Sequence, residues 1–161
     1  MIVVSDTSPI LNLRRIGRLE LLILLYEEVL VPPAVFAELT AKTDGVSVMN
    51  GHAISSLIIV TPRDQKRVQE LRRSLDAGEA EAIVLAIERQ ADLLLVDERR
   101  GRRAAEAEGL RITGLLGVLA DAKRAGLIDA VKPAVDDLIQ RARFWIGPEL
   151  YKTVLAELGE E

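Results

Sequence analysis

Short runs of aliphatic residues alternate along the chain with longer segments whose apolar positions recur every three or four residues. Residues 2–4 (IVV), 29–31 (VLV), 57–61 (LIIVT), 93–96 (LLLV) and 111–113 (RIT) are the short runs. Continuous rather than alternating hydrophobicity marks a strand covered on both faces, as in a parallel sheet. Helical spacing covers about 9–15, 18–26, 34–41, 64–74, 78–90 and 99–108, and helices at about 115–125, 131–142 and 148–158 close the chain. Ser8-Pro9 supplies an N-cap and a first-turn proline, and Pro32-Pro33 ends the second strand. From Lys42 to about Gly51 the chain is polar and glycine-containing, which reads as a loop leading into a weak helix near 52–57. Strands alternating with helices predict an α/β protein with a parallel sheet covered on both faces. The length of 161 residues predicts one domain, 1–161, with the C-terminal helices of about 131–158 packing on its edge.

Composition narrows the chemistry. Apolar residues make up 49% and aromatics only 3%, so the core is aliphatic and disorder is excluded. With so few rings, stacking of bases on aromatic platforms is not expected as the main binding mode. The net charge of −4 gives no global attraction for nucleic acid or anionic membrane, so any polyanion must be held by a local patch. There is no cysteine, which removes disulfides, thiol chemistry and cysteine-ligated zinc. The single histidine, His52, reads as a loop or surface residue and supports neither a histidine metal site nor a Ser-His pair. Without a signal-like N-terminus or an apolar run of membrane-spanning length, the chain reads as cytoplasmic with no membrane partner.

Open parallel sheets bind ligands beyond the carboxyl ends of their strands, where this chain places acids. Asp6 ends the first strand and Asp97 the fourth. Glu38 lies on a helix among Val35, Phe36 and Leu39, and Glu79 opens the helix of GEAEAIVLA. Glu79 and Glu81 stand about 200° apart on that helix, so only one can enter a given cleft. Ala80, Ile83, Val84 and Ile87 form the buried stripe and Glu81 shares its face with Glu88, which leaves Glu81 solvated and Glu79 the candidate. Carboxylates converging without His or Cys suit a hard cation, Mg²⁺ or Mn²⁺, and such a cation invites phosphate chemistry. Crowded carboxylates without the cation should show at least one raised pKa. Directly after Asp97-Glu98 come Arg99, Arg100, Arg102 and Arg103, either a solvated helix face or a set of guanidinium groups for a phosphate backbone.

These segments together resemble the PIN-domain ribonucleases, in particular a VapC-like prokaryotic branch. VSDTSPILNL resembles the family's opening strand with its first Asp, and VPPAVFAELT the second strand and the helix carrying its Glu. GEAEAIVLAIERQADLLLVDERRGRR is similar to the third acidic position, its helix, the next strand and the fourth acidic position. The resemblance implies a three-layer α/β/α PIN-like fold, a central parallel sheet flanked by helices, and Mg²⁺- or Mn²⁺-dependent cleavage of RNA by metal-activated water. It implies metal-binding and catalytic carboxylates at Asp6, Glu38, Glu79 and Asp97. Two departures stand out: many relatives have Asp at the position of Glu79, and a Thr before a slightly later Asp around position 97. The second leaves the fourth ligand open between Asp97 and Glu98. Many relatives are toxins neutralised by a small antitoxin protein, and many form homodimers. The positive mean hydropathy of +0.19 is compatible with self-association.

The segment ARFWIGPELYKTVLAEL holds the only Trp, and reads as a helix packed through Leu150, Val154 and Leu158, a dimer or partner surface, or both. Two rival classes remain. A phosphatase or phosphotransferase with an aspartyl nucleophile would need a second Asp where Ser8 stands, or a Lys near Thr113-Gly114. A catalytically silent PIN-like interaction module would keep the fold, yet all four acidic positions are filled.

Overall fold

The computed structural model describes residues 1–41 and 56–160. His52 and most of the weak helix expected near 52–57 lie outside them; Leu57 already belongs to a strand. Among the described residues five strands form the sheet: β1 (Val3–Ser5), β2 (Val29–Val31), β3 (Leu57–Ile59), β4 (Leu93–Leu95) and β5 (Ile112–Thr113). All neighbours are parallel, in the order β3-β2-β1-β4-β5. The helices among the described residues are α1 (Thr7–Arg15), α2 (Glu20–Tyr26), α3 (Pro33–Ala41), α4 (Gln65–Leu71), α5 (Ala77–Glu88), α6 (Arg99–Ala107), α7 (Leu115–Arg124), α8 (Lys132–Arg141) and α9 (Pro148–Glu157).

Successive strand residues point to opposite faces, and the sheet divides the core accordingly. Val3, Val29, Val31, Leu93 and Leu95 join the buried residues of α1, α2, α3, α7 and α8 on one side. Val4, Leu94 and Val96 join those of α4, α5 and α6 on the other. The result is the expected three-layer α/β/α arrangement. Both faces must be apolar, which is why these strands carry no polar alternation.

The C-terminal helices have different roles. Val131, Ala134, Val135 and Leu138 bring α8 into the larger core, whereas α9 buries only Leu155. Leu150, expected to anchor α9, is 51% exposed. Tyr151 and Leu158 pack on the larger core, and polar contacts add to them. Tyr151 donates its hydroxyl to Asp136 (2.7 Å), and Lys123 donates to the Leu158 carbonyl (2.6 Å) and the Glu160 carboxylate (2.8 Å). Glu160 also accepts the backbone N–H groups of Val131 (2.8 Å) and Lys132 (2.9 Å) at the start of α8.

Candidate metal centre

β1 and β4 lie side by side at the point where the strand order reverses, with the earlier strands on one flank and β5 on the other. Such a switch point opens a crevice beyond the strand ends. Asp6 sits at its floor, its backbone N–H donating to the Leu95 carbonyl (3.0 Å). Its extended backbone places it at the N-cap of α1, yet its side chain caps nothing and faces the crevice, 4% exposed.

The start of α5 supplies two more acids. Asp76 accepts from the Glu79 backbone N–H (2.8 Å), and Glu79 Oε1 accepts from the Asp76 backbone N–H (3.2 Å), a reciprocal capping box. The box fixes the Glu79 rotamer and leaves its Oε2 buried without a hydrogen-bond partner among the described residues. Two glycines permit the approach. A Cβ on Gly78 would lie 3.3 Å from Asp6 Oδ1, and one on Gly101 only 2.7 Å from Glu79 Oε2. The spacing Asp76-x-x-Glu79 is the sequence signal for this box, which brings both acids to one place.

Asp97 and Glu98 part company. The register pairs Ser5 with Leu95, so Asp6 stands level with Val96, and Glu98, two residues on in extended backbone, returns to the side of Asp6. Asp97 turns the other way, and its Oδ1 accepts the backbone N–H of Leu115 (3.0 Å) at the first residue of α7. One carboxylate oxygen each of Asp76, Glu79 and Glu98 lies within 4.8 Å of the other two. A cavity of about 60 Å³ beside them is lined by Asp6, Thr7, Ser8, Glu38, Asp76 and Glu98. That volume is more than the roughly 10–15 Å³ of such space that one water needs, so its size admits a small hydrated ion. Glu38 reaches this cavity from α3, its Oε2 accepting from Thr7 Oγ1 (2.5 Å).

Glu81, by contrast, is not simply solvated. It accepts the Ala34 N–H (3.3 Å) in the first turn of α3, tying α5 to α3. Its neighbour on that face, Glu88, accepts the N–H groups of Arg63 (2.9 Å) and Asp64 (2.6 Å). Ile87, assigned to the buried stripe, is 37% exposed in the last turn of α5.

Burial first, and neighbouring carboxylates second, raise the proton affinity of these acids. Burial, opposed by the Thr7 backbone N–H and reinforced by the charges of Asp76, Glu79 and Glu98, pushes Asp6 up to about 7. Burial likewise takes Glu79 to about 7 against the lowering effect of the Asp76 N–H, with Asp76 and Glu98 adding repulsion. Asp97 is also raised, by burial first, with the Leu115 N–H and Arg102 acting against it. An acid cluster of this kind is unfavourable on its own terms, because charge is buried beside like charge without a cation to balance it.

The residues fit a divalent cation. Every donor is a hard carboxylate oxygen, and the orphaned Oε2 of Glu79 is already buried beside the cluster. Asp76, Glu79 and Glu98 would hold the ion, with Asp6 and Glu38 on the same cavity. Arg102 donates to the Val96 carbonyl (3.3 Å) and stands beside Asp97. Arg99, Arg100 and Arg103 are exposed and form no ion pair among the described residues. No helix among the described residues is long and apolar enough to cross a membrane.

The comparisons agree with this arrangement. No curated protein matches the chain at significance. Among solved structures, the chain is similar to a PilT N-terminus domain protein, SSO1118, from the hyperthermophilic archaeon Sulfolobus solfataricus P2. The likeness has a TM-score of 0.53 at 18% identity and covers 76% of this chain and 93% of that one. At that identity the likeness concerns the fold, a sheet flanked by helices. A family profile described as PIN domain matches residues 2–160. With the profile covering nearly the whole chain and the acids gathered at the switch point of the sheet, the chain belongs to the PIN-domain family.

Proposed function

We propose that this chain is a Mg²⁺- or Mn²⁺-dependent endoribonuclease. The observation that carries the reading is the convergence of Asp76, Glu79 and Glu98 beside Asp6 and Glu38, with one buried Glu79 oxygen left unpartnered. A divalent cation bound there supplies Lewis-acid polarisation of a phosphoryl oxygen and lowers the pKa of a bound water. Asp6 and Glu79, as carboxylates, would balance the charge of such a cation, and binding would favour their deprotonated forms. Glu38, held by Thr7 Oγ1, orients the attacking water at the cavity wall. Arg99, Arg102 and Arg103 bind the phosphates of the strand flanking the scissile bond, and exposed Arg100 adds to the local positive field.

Asp97 serves this reading as a positioning residue: by binding the α7 N-terminus it fixes the β4–α6 turn that delivers Glu98. The toxin role, a small antitoxin partner and a homodimer are further parts of the proposal, supported by the family resemblance alone. The test is cleavage of a mixed single-stranded RNA pool with Mn²⁺, beside Asp6→Asn and an EDTA control. Metal-dependent cutting that disappears in Asp6→Asn supports the reading. Cutting that survives the substitution, or none at all in protein that binds RNA and metal, removes it.

A further inference from the structure

A groove of about 670 Å³ runs from the carboxyl ends of β4 and β5 to the connection between α8 and α9. Asp97, Arg99, Arg102 and Arg103 form one side, and Trp145 and Leu150 the other. Asp97 lines this groove while its neighbour Glu98 lines the carboxylate cavity, on the opposite side of the β4 end. Trp145 is the only tryptophan of the chain and is 83% exposed. That exposure is built. Arg143 adopts a left-handed backbone (φ 54°) just after α8, and Phe144 is pinned by its N–H to the Leu138 carbonyl (2.9 Å) and packs on the core. The reversal turns the next side chain, Trp145, outward, with its ring resting over Gly147, whose Cβ position lies 3.6 Å from the indole.

We propose that this groove seats a single strand of nucleic acid, with the Trp145 indole stacked on one base and Arg99, Arg102 and Arg103 on the flanking phosphates. The inference rests on the nuclease reading only for the continuation of the strand into the carboxylate cleft. Charge favours this occupant: Asp97 and Arg102 are engaged within the protein, and Arg99 and Arg103 are exposed in the groove with no ion pair among the described residues, against one further carboxylate, Glu106. Ile112, Leu116, Phe144 and Val154 also line the groove, all half-buried, and of its large apolar residues among those described only Trp145 and Leu150 are strongly exposed. A second copy is the competing occupant, which the titration separates. The low aromatic content argued against base platforms in general, but one exposed ring beside three cations needs no others, because stacking strength is supplied base by base.

The single tryptophan is its own reporter. The full chain carrying Asp6→Asn, which keeps RNA intact, is titrated in Mn²⁺ with single-stranded RNA of about six nucleotides. Inorganic polyphosphate of equal charge is the second ligand. RNA should quench Trp145 emission saturably and polyphosphate should not. Trp145→Ala should weaken RNA binding roughly tenfold or more, measured by anisotropy of labelled RNA, and Trp145→Phe should recover most of it. Circular dichroism verifies that the variants fold. Binding without quenching, equal affinity in Trp145→Ala, absence of RNA binding, or emission that follows protein concentration rather than RNA overturns the proposal, the last pointing to a second copy. Quenching by RNA that the wild-type chain does not cut removes the nuclease reading and leaves the platform standing. Cutting without quenching does the reverse.

Discussion

Asp97 and Glu98 are adjacent in sequence and serve opposite sides of the β4 end: Glu98 joins Asp76 and Glu79, while Asp97 accepts the first N–H of α7. The difference follows from strand alternation continued two residues past the sheet. Glu98→Gln should therefore abolish most metal-dependent cleavage. Asp97→Ala should act mainly on stability, lowering it by about 1–2 kcal/mol through loss of a helix N-terminal partner. Cleavage rates beside thermal melts of the two variants separate the roles; a larger activity loss in Asp97→Ala at full foldedness would reverse the assignment.

Gly101 offers a test of sign. Glycine inside a helix normally costs about 1 kcal/mol relative to alanine, so Gly101→Ala would stabilise an ordinary α6. Here the new methyl would sit 2.7 Å from Glu79 Oε2 and 3.0 Å from Val96 Cγ2. The expected result is destabilisation by about 1–3 kcal/mol, as for overpacking, together with weaker Mn²⁺ binding as Glu79 is pushed aside. Denaturant melts and a metal titration check both halves.

The raised carboxyls of Asp6 and Glu79 set a pH dependence. Their folded pKa values, about 7, exceed the ordinary 3.8 and 4.5, so the folded state holds protons that the unfolded state has lost between those values. Their contribution to stability is complete below about 4 and is lost as pH rises through 7. Metal-free protein should lose several degrees of Tm between pH 5 and 8, on a scale of about 2–4 °C per kcal/mol, and Mn²⁺ should restore more at pH 8 than at pH 5. A metal-free melting series that is flat or rises across that range would contradict it.

Glu160 has the opposite sign. Burial would raise its carboxyl, but Lys123 and the N–H groups of Val131 and Lys132 outweigh burial and hold it at about 2. The stability it supplies is present above about 4.5 and is lost as pH falls toward 2. Glu160→Gln should lower stability near neutrality by about 1 kcal/mol and flatten the acid limb of the melting profile, without altering cleavage at saturating metal.

The sheet was readable in the sequence because each strand is a short aliphatic run ending in a polar turn, and VVSD and LLLVDE mark two adjacent carboxyl ends directly. Asp6 comes from a strand end, whereas Glu38 and Glu79 come from acids set among apolar helix positions and from the family resemblance. Asp76 was harder to see, since its role depends on a capping box that places it beside residues more than 20 positions away in sequence. Glu81 was misjudged because helical periodicity reports which face a residue occupies and not whether another helix presents an N-terminus there. Trp145 was illegible for a similar reason: its outward turn follows the left-handed backbone at Arg143, a non-glycine residue with no propensity for it.

Metal binding by the acids at the switch point is what the proposed cleavage requires. Calorimetric titration of the metal-free chain with Mn²⁺ near pH 7.5, beside Glu79→Gln and Glu98→Gln, tests it most directly. Saturable binding in the wild type, weakened about tenfold or more in each variant, is the expected result. Wild-type protein that takes up no Mn²⁺, or variants that bind it as well as the wild type does, would contradict it.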